Sequence, residues 1–339
     1  MDKILEGLII ELDDLKTYIN FQSDSYKTQS KIEKSKQFSV FDLISVSKIK
    51  QFDFNSHIIS AYGAYEHFIE QLLTKYLQLL SSKISNFDKL PKEIQTNNLS
   101  KCLEILKQID FQKNKNIKKE LIIEILHKNF NENCSSLNIE AFKNHSANFR
   151  IGTISSYFSE IGINNCTSLI KKYPPLKDYL DKTISDYSQK KDTIVFQIIE
   201  EICNIRNNIA HGVRNIQLLN KSILFDYIDF IKIFCSSLCA LIKDKYYEHI
   251  YDNLNEIEPI NIYNNSILCF NTNSQNLDSK TKIIAFSRDT FPNYVELSVI
   301  EIQHDNVKIE STQHSKIDVG VLVNKKIRNT MRFRLNNID

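Results

Sequence analysis

Residues 200–215 read EEICNIRNNIAHGVRN. On a helix at about 100° per residue, Ile198, Ile202, Ile205 and Ile209 fall on one narrow stripe. The spacing predicts that this stripe is the core face. Glu200, Asn204, Asn207 and His211 fall opposite it. Arg206 falls on the flank, with a side chain long enough to swing toward Asn207 and His211. A lone histidine is more often a packed core residue than a catalyst, but here the apolar stripe lies elsewhere. The plain alternative is a solvated helix end, capped by Gly212, with Asn207 bonded to His211 one turn on. An arginine five residues before a histidine arises by chance in roughly one such chain in six, so spacing alone leaves both readings open.

Helical periodicity surrounds this stretch. It runs over 190–211 and again over 221–252. Upstream, residues 2–20 read as an amphipathic helix and 22–50 as polar and irregular. A long helix is predicted over 55–82, with apolar positions at Ile58, Ile59, Tyr62, Tyr65, Ile69, Leu72, Leu73, Tyr76 and Leu80. A variable middle, 83–187, holds shorter helices near 99–109, 117–128 and 151–161, and Pro174–Pro175 reads as a break in it. After Pro259 the pattern changes. SILCF, KIIAFS, YVELSVIEIQ, NVKIES, DVGVLV and TMRFRL are short runs rich in Val, Ile, Phe and Tyr, separated by Asn, Asp, Ser and Gly. They predict five or six strands of a small barrel or sandwich. The expected fold is therefore mainly α: a helical bundle over 1–255 and a small β-barrel over 260–339.

Bulk properties exclude several classes. The net charge of +2 gives no global field for nucleic acid, though a local patch remains open. The cysteines form no C-x-x-C pair, so a zinc site or disulfide framework is not expected. Acids sit where a signal peptide would have none, and no apolar run is long enough to span a bilayer. The expectation is a cytoplasmic protein without membrane contact. The other histidines form no ligand pattern, so neither a metal nor a cofactor is expected. No phosphate-binding glycine loop or nucleophile elbow is present.

RNNIAHG resembles the R-x4-6-H motif of the HEPN superfamily, where Asn, Asp or His commonly follows the arginine and AHG is a common ending. ISAYGAYEHFIEQLLTKYL resembles the earlier HEPN helix with an acid after an aromatic, here Glu66 after Tyr65. SANFRIGTISSYFSEIGI resembles the connector of the RiboL-PSP and abortive-infection branch. The resemblance covers roughly residues 1–255. It implies a ribonuclease that needs no metal: the 2′-hydroxyl attacks the adjacent phosphate and leaves a 2′,3′-cyclic phosphate and a 5′-hydroxyl. His211 suits a proton-transfer or phosphate-facing role, at a helix C-terminus where the dipole favours a cation. Arg206 presents a fork of donors matched to phosphate. Asn207 would orient the imidazole or hold a phosphate oxygen, with Asn208 beside it, and Glu66 would hold the Arg206 guanidinium. Because one motif supplies one histidine, the resemblance implies a homodimer with a composite site. It also implies a toxin-like or antiviral effector with RNA as substrate, restrained by an antitoxin or defence-system partner. The alternatives are a catalytically silent HEPN dimer that binds nucleotide or RNA, and a scaffold with no ligand of its own.

The tail NKKIRNTMRFRL carries Lys325, Lys326, Arg328, Arg332 and Arg334, with Phe333 interleaved. Basic residues on an edge strand can simply guard against aggregation. A barrel with such strands would also bind RNA backbone.

Overall fold

Beyond Gly7 the first 34 residues contain neither glycine nor proline, and they form one unbroken helix, α1 (Asp2–Lys34). The computed structural model describes residues 1–34, 45–111, 117–143, 145, 147–213, 216–313 and 315–336. The irregular reading of 22–50 is thereby corrected on both sides. α1 continues through Lys34, and α2 (Val46–Lys83) begins nine residues before the expected start, its N-terminus capped by the Ser45 hydroxyl. The rest of that segment, 35–44, lies outside the described residues, as do Ser146, Arg214, Asn215 and His314.

The chain divides into two compact units, Met1–Leu241 and Ile242–Asp339. In the first, α2 is the central element. Its buried side chains, from Phe54 through Tyr62, Tyr65 and Leu72 to Leu80, cover more than one face. Ile59, expected inside, is exposed. The middle of the chain forms α3 (Lys92–Lys107), α4 (Lys119–Asn131), α5 (Ile139–Lys143), α6 (Ile151–Ser159), α7 (Cys166–Ile170) and α8 (Pro174–Thr183). Pro174–Pro175 thus opens a helix and breaks none. Proline costs nothing in the first turn, where its missing N–H has no intrahelical partner. α9 (Asp192–Val195), α10 (Gln197–Ala210) and α11 (Lys221–Ile250) complete the helices, and Cys235 and Cys239 are buried as small apolar groups of α11.

The second unit is an antiparallel sheet of eight strands: β1 (Asn255–Ile257), β2 (Pro259–Tyr263), β3 (Ile267–Asn271), β4 (Lys282–Phe286), β5 (Tyr294–His304), β6 (Val307–Ile309), β7 (Asp318–Val323) and β8 (Arg332–Asn336). The order β1-β8-β4-β5-β7-β3-β2 places two strands that are consecutive in the chain at its two ends, so the barrel is nearly closed. β5 makes this possible. It pairs with β4 along its first half and with β7 beyond it, with a register shift between Val299 and Glu301 that lets one strand serve both halves. Alternation then fills the interior: Leu268 and Phe270 of β3, Val319, Val321 and Val323 of β7, and Phe333 and Leu335 of β8 share one core. β1 and β2 fall in NEIEPINIY, outside the runs read as strands from the sequence.

Candidate functional site

The motif closes α10. His211 is the C-terminal cap residue, and Gly212 follows with φ +67°. The Gly212 N–H donates to the Ile209 carbonyl at 3.0 Å and the Val213 N–H to the Asn208 carbonyl at 2.9 Å. This is a Schellman ending, and it needs a residue at ease in the left-handed region directly after the histidine. The AHG sequence therefore fixes where the helix stops and leaves the His211 side chain on the exposed terminal turn.

The buried face of α10 is Ile199, Ile202 and Cys203. It is turned from the predicted stripe by about one residue's rotation. Ile205 and Ile209 are only partly buried and pack against a small cluster of Phe54, Ile58 and Leu224. The turn relocates Arg206. It is not on the flank but at the edge of the buried face, half-buried, with its guanidinium carbon 5.2 Å from the centroid of the Tyr62 ring. One guanidinium nitrogen, Nη1, donates to the Asn207 Oδ1 at 3.3 Å. Arg206 makes no other hydrogen bond or ion pair among the described residues, so the rest of its fork can reach a ligand.

Tyr62 does more than support the arginine. Its hydroxyl donates to Glu66 Oε1 at 3.0 Å and accepts from the Phe149 N–H at 3.1 Å. Burial and the nearby Glu66 charge both push its phenol well above the ordinary tyrosine value. Glu66 therefore approaches Arg206 through the tyrosine between them, not by a direct ion pair. Burial likewise pushes the Cys203 thiol up to about 12, which leaves it an unreactive core group.

The polar face of α10 is covered by the chain entering α6. The Tyr65 hydroxyl donates to the Phe149 carbonyl at 2.9 Å, so two tyrosines of α2 satisfy both backbone groups of Phe149. From the other side, Glu200 accepts the Ile151 N–H at 3.0 Å and pairs with Arg150 at 2.9 Å. Arg150 also donates to Asn204 at 2.6 Å, and the Asn148 amide donates to the Asn207 Oδ1. Glu200, Asn204 and Asn207 thus engage residues 148–151 of their own chain. Asn208 and His211 are exposed, and His211 makes no side-chain hydrogen bond or ion pair among the described residues. Together these contacts bring Arg206, Asn207, Tyr62, Glu66 and Asn148 into one cluster beside the exposed His211.

Tyr62, Asn148, Arg150 and Glu200 were not singled out as site residues from sequence. Tyr62 stands four residues before Glu66, and Arg150 lies within the connector segment, so both had positions that could have flagged them. What the sequence lacked was any sign that the two segments meet.

In the barrel, Lys326, Arg328 and Arg332 are exposed, as is Lys325. Arg334 is different. It donates to the Leu254 carbonyl at 2.9 Å, lies 5.1 Å from the centre of the Tyr251 ring and faces Asp252 and Glu256. Phe333 points into the core and offers no ring to a base. Among the described residues no group of three or more His, Cys, Asp or Glu side chains is arranged to hold a metal ion, and no helix is long and apolar enough to cross a membrane.

Comparison with known proteins gives one result. The family model described as RiboL-PSP-HEPN matches residues 11–244, well over half of the chain, from within α1 into α11. No curated protein and no solved structure matches. The chain belongs to the RiboL-PSP-HEPN family, and that membership supports a nuclease kind of enzyme.

Proposed function

We propose that this protein is a metal-independent endoribonuclease. The observation that carries the reading is the pairing of a guanidinium, seated on Tyr62 with most of its donors unused, with an imidazole left exposed at the helix's C-terminal cap. RNA self-cleavage requires proton transfer and neutralisation of charge on phosphate oxygens, and these two side chains supply both. The 2′-oxygen forms its bond to phosphorus as its proton passes to one His211. The bond from phosphorus to the 5′-oxygen breaks, and that oxygen takes a proton from a second His211 contributed by another copy of the chain. Arg206 grips the non-bridging oxygens, and Asn207 is held beside it by Asn148. The biological role that suits such a nuclease is a toxin-like or antiviral effector in the cytoplasm, restrained by an antitoxin or defence partner.

A second reading is favoured by one contact. The Asn207 side-chain oxygen already accepts from Asn148 and Arg206, which is what a silent, RNA- or nucleotide-binding HEPN dimer would also use to brace its helix. Purified variants separate the two. His211→Ala and Arg206→Ala should each lower RNA cleavage by about a hundredfold or more. Full activity in the double variant would end the nuclease assignment, and cleavage abolished by EDTA would point to a different chemistry.

A further inference from the structure

A pocket of about 300 Å³ opens between α1, α2 and the start of α11. Phe54 and Leu224 line it, and both belong to the cluster against which Ile205 and Ile209 of α10 pack. One layer of side chains therefore separates the pocket from the helix that carries Arg206. Along α2, Phe54 precedes Tyr62 by two turns, a rise of roughly 12 Å. A strand whose phosphate lay on Arg206 would bring a neighbouring nucleotide within reach of the pocket.

Most of the wall area is apolar, and several polar side chains reach its edge. Asp53 accepts the Tyr26 hydroxyl on one carboxylate oxygen and keeps the other without a partner among the described residues. The Asn220 side-chain oxygen is taken up in capping α11, by the Ile223 N–H at 3.0 Å and the Ser222 hydroxyl at 2.6 Å, which leaves its amide nitrogen as a donor. His57 is tied to Gln22 at 2.6 Å. Lys50 and Lys221 also line the pocket, and each contacts an aromatic ring, of Tyr26 and Phe225, with no ion pair among the described residues. Apolar walls suit a flat ring, a carboxylate acceptor suits an amine on its edge, and two ammonium groups suit a phosphate.

We propose that this pocket binds a nucleobase with an exocyclic amine, belonging to the nucleotide next to the cleaved phosphate, with Asp53 accepting from the amine and Lys50 and Lys221 on a phosphate. The proposal rests on the ribonuclease reading for its source of the base. A free mononucleotide offers the same chemistry. Uracil, which has no exocyclic amine, is the base the pocket rejects.

The test uses the full chain and oligonucleotides that carry one ribonucleotide, with each of the four bases placed in turn beside it. Wild-type protein should cut strands with adenine, cytosine or guanine at the preferred flank at least about tenfold faster than strands with uracil, the usual effect of a missing hydrogen bond to a charged group. Asp53→Ala should erase that ranking, and Lys50→Ala, at an exposed position, should raise KM for every base. Calorimetry with the four nucleoside monophosphates and His211→Ala protein supplies the second arm. Cleavage with no flanking preference, unchanged by Asp53→Ala, overturns the pocket and leaves the nuclease reading standing. No cleavage, but binding of amine-bearing monophosphates that Asp53→Ala abolishes, supports the pocket with a free nucleotide as its ligand and removes the nuclease reading. Neither cleavage nor binding overturns both.

Discussion

The guanidinium of Arg206 lies 5.2 Å from the centroid of the Tyr62 ring, and the Tyr62 hydroxyl is bonded at the same time to Glu66 and to the backbone of Phe149. One side chain of α2 thereby sets the position of the motif arginine and of the segment that braces the motif helix. A cation over a ring contributes about 0.5–2 kcal/mol, more as water is excluded. Tyr62→Phe keeps the ring and strands two polar partners. It should cost about 1–3 kcal/mol in a denaturant titration while retaining part of the cleavage activity. Tyr62→Leu should lose both the stability and most of kcat. Equal activities for the two variants would show that the ring does not position Arg206.

Glu200 is the acceptor on which the 148–151 segment turns. Glu200→Gln keeps an oxygen for the Ile151 N–H and should be mild. Glu200→Ala leaves that N–H and Arg150 without it and should destabilise by about 1–2 kcal/mol, with the half-exposed ion pair itself contributing little. Melting temperatures of the two variants, measured side by side, check this order.

Apart from its chain neighbours, a methyl group at Gly212 would meet no atom of the described residues within 4 Å. The cost of Gly212→Ala is then conformational alone, about 1–2 kcal/mol for a left-handed alanine. Gly212→Asn should cost less. If His211 acts from the turn that Gly212 ends, cleavage should fall further in the alanine variant than its melting temperature accounts for.

Burial holds His57 below the ordinary histidine value of 6.5, with Asp53 opposing weakly, so the folded protein keeps the ring neutral. An unfolded chain binds that proton more readily. The stability tied to the neutral ring is therefore present above pH 6.5 and is lost as the pH falls below it, through the lower folded value. Denaturation midpoints between pH 7.5 and about 5 should decline in wild type and decline less in His57→Gln.

The barrel separates two kinds of basic residue. Neutralising Lys326, Arg328 and Arg332 together should weaken RNA binding and flatten its salt dependence, with little change in melting temperature. Arg334→Ala should do the reverse, because its guanidinium serves Leu254 and Tyr251 inside the unit.

Much of this architecture was legible in the sequence because the signals were local. Ile, Leu and Tyr at helical spacing marked α2 and α11, alternating Val and Ile marked β3 to β8, and the AHG ending marked the end of α10. Local signals also misled. Pro174–Pro175 reads as a break only while the helix is assumed to precede it. Residues 22–34 look irregular by composition, yet lack the breakers that would stop a helix already begun. The stripe of isoleucines drew the core face toward Ile198 and Ile209, while the neighbouring α2 selected Ile199, Ile202 and Cys203. The site's support was the least visible part. Tyr62 meets Arg206 across 144 positions, Asn148 meets Asn207 across 59 and Arg150 meets Glu200 across 50, and no spacing rule links residues so far apart.

End-group analysis of RNA incubated with the purified protein tests the central claim most directly. The account predicts 2′,3′-cyclic phosphate and 5′-hydroxyl ends, and an intact strand when the sugar at the cut site is 2′-deoxy. Products with 3′-hydroxyl and 5′-phosphate ends, or cutting at the 2′-deoxy position, would contradict it.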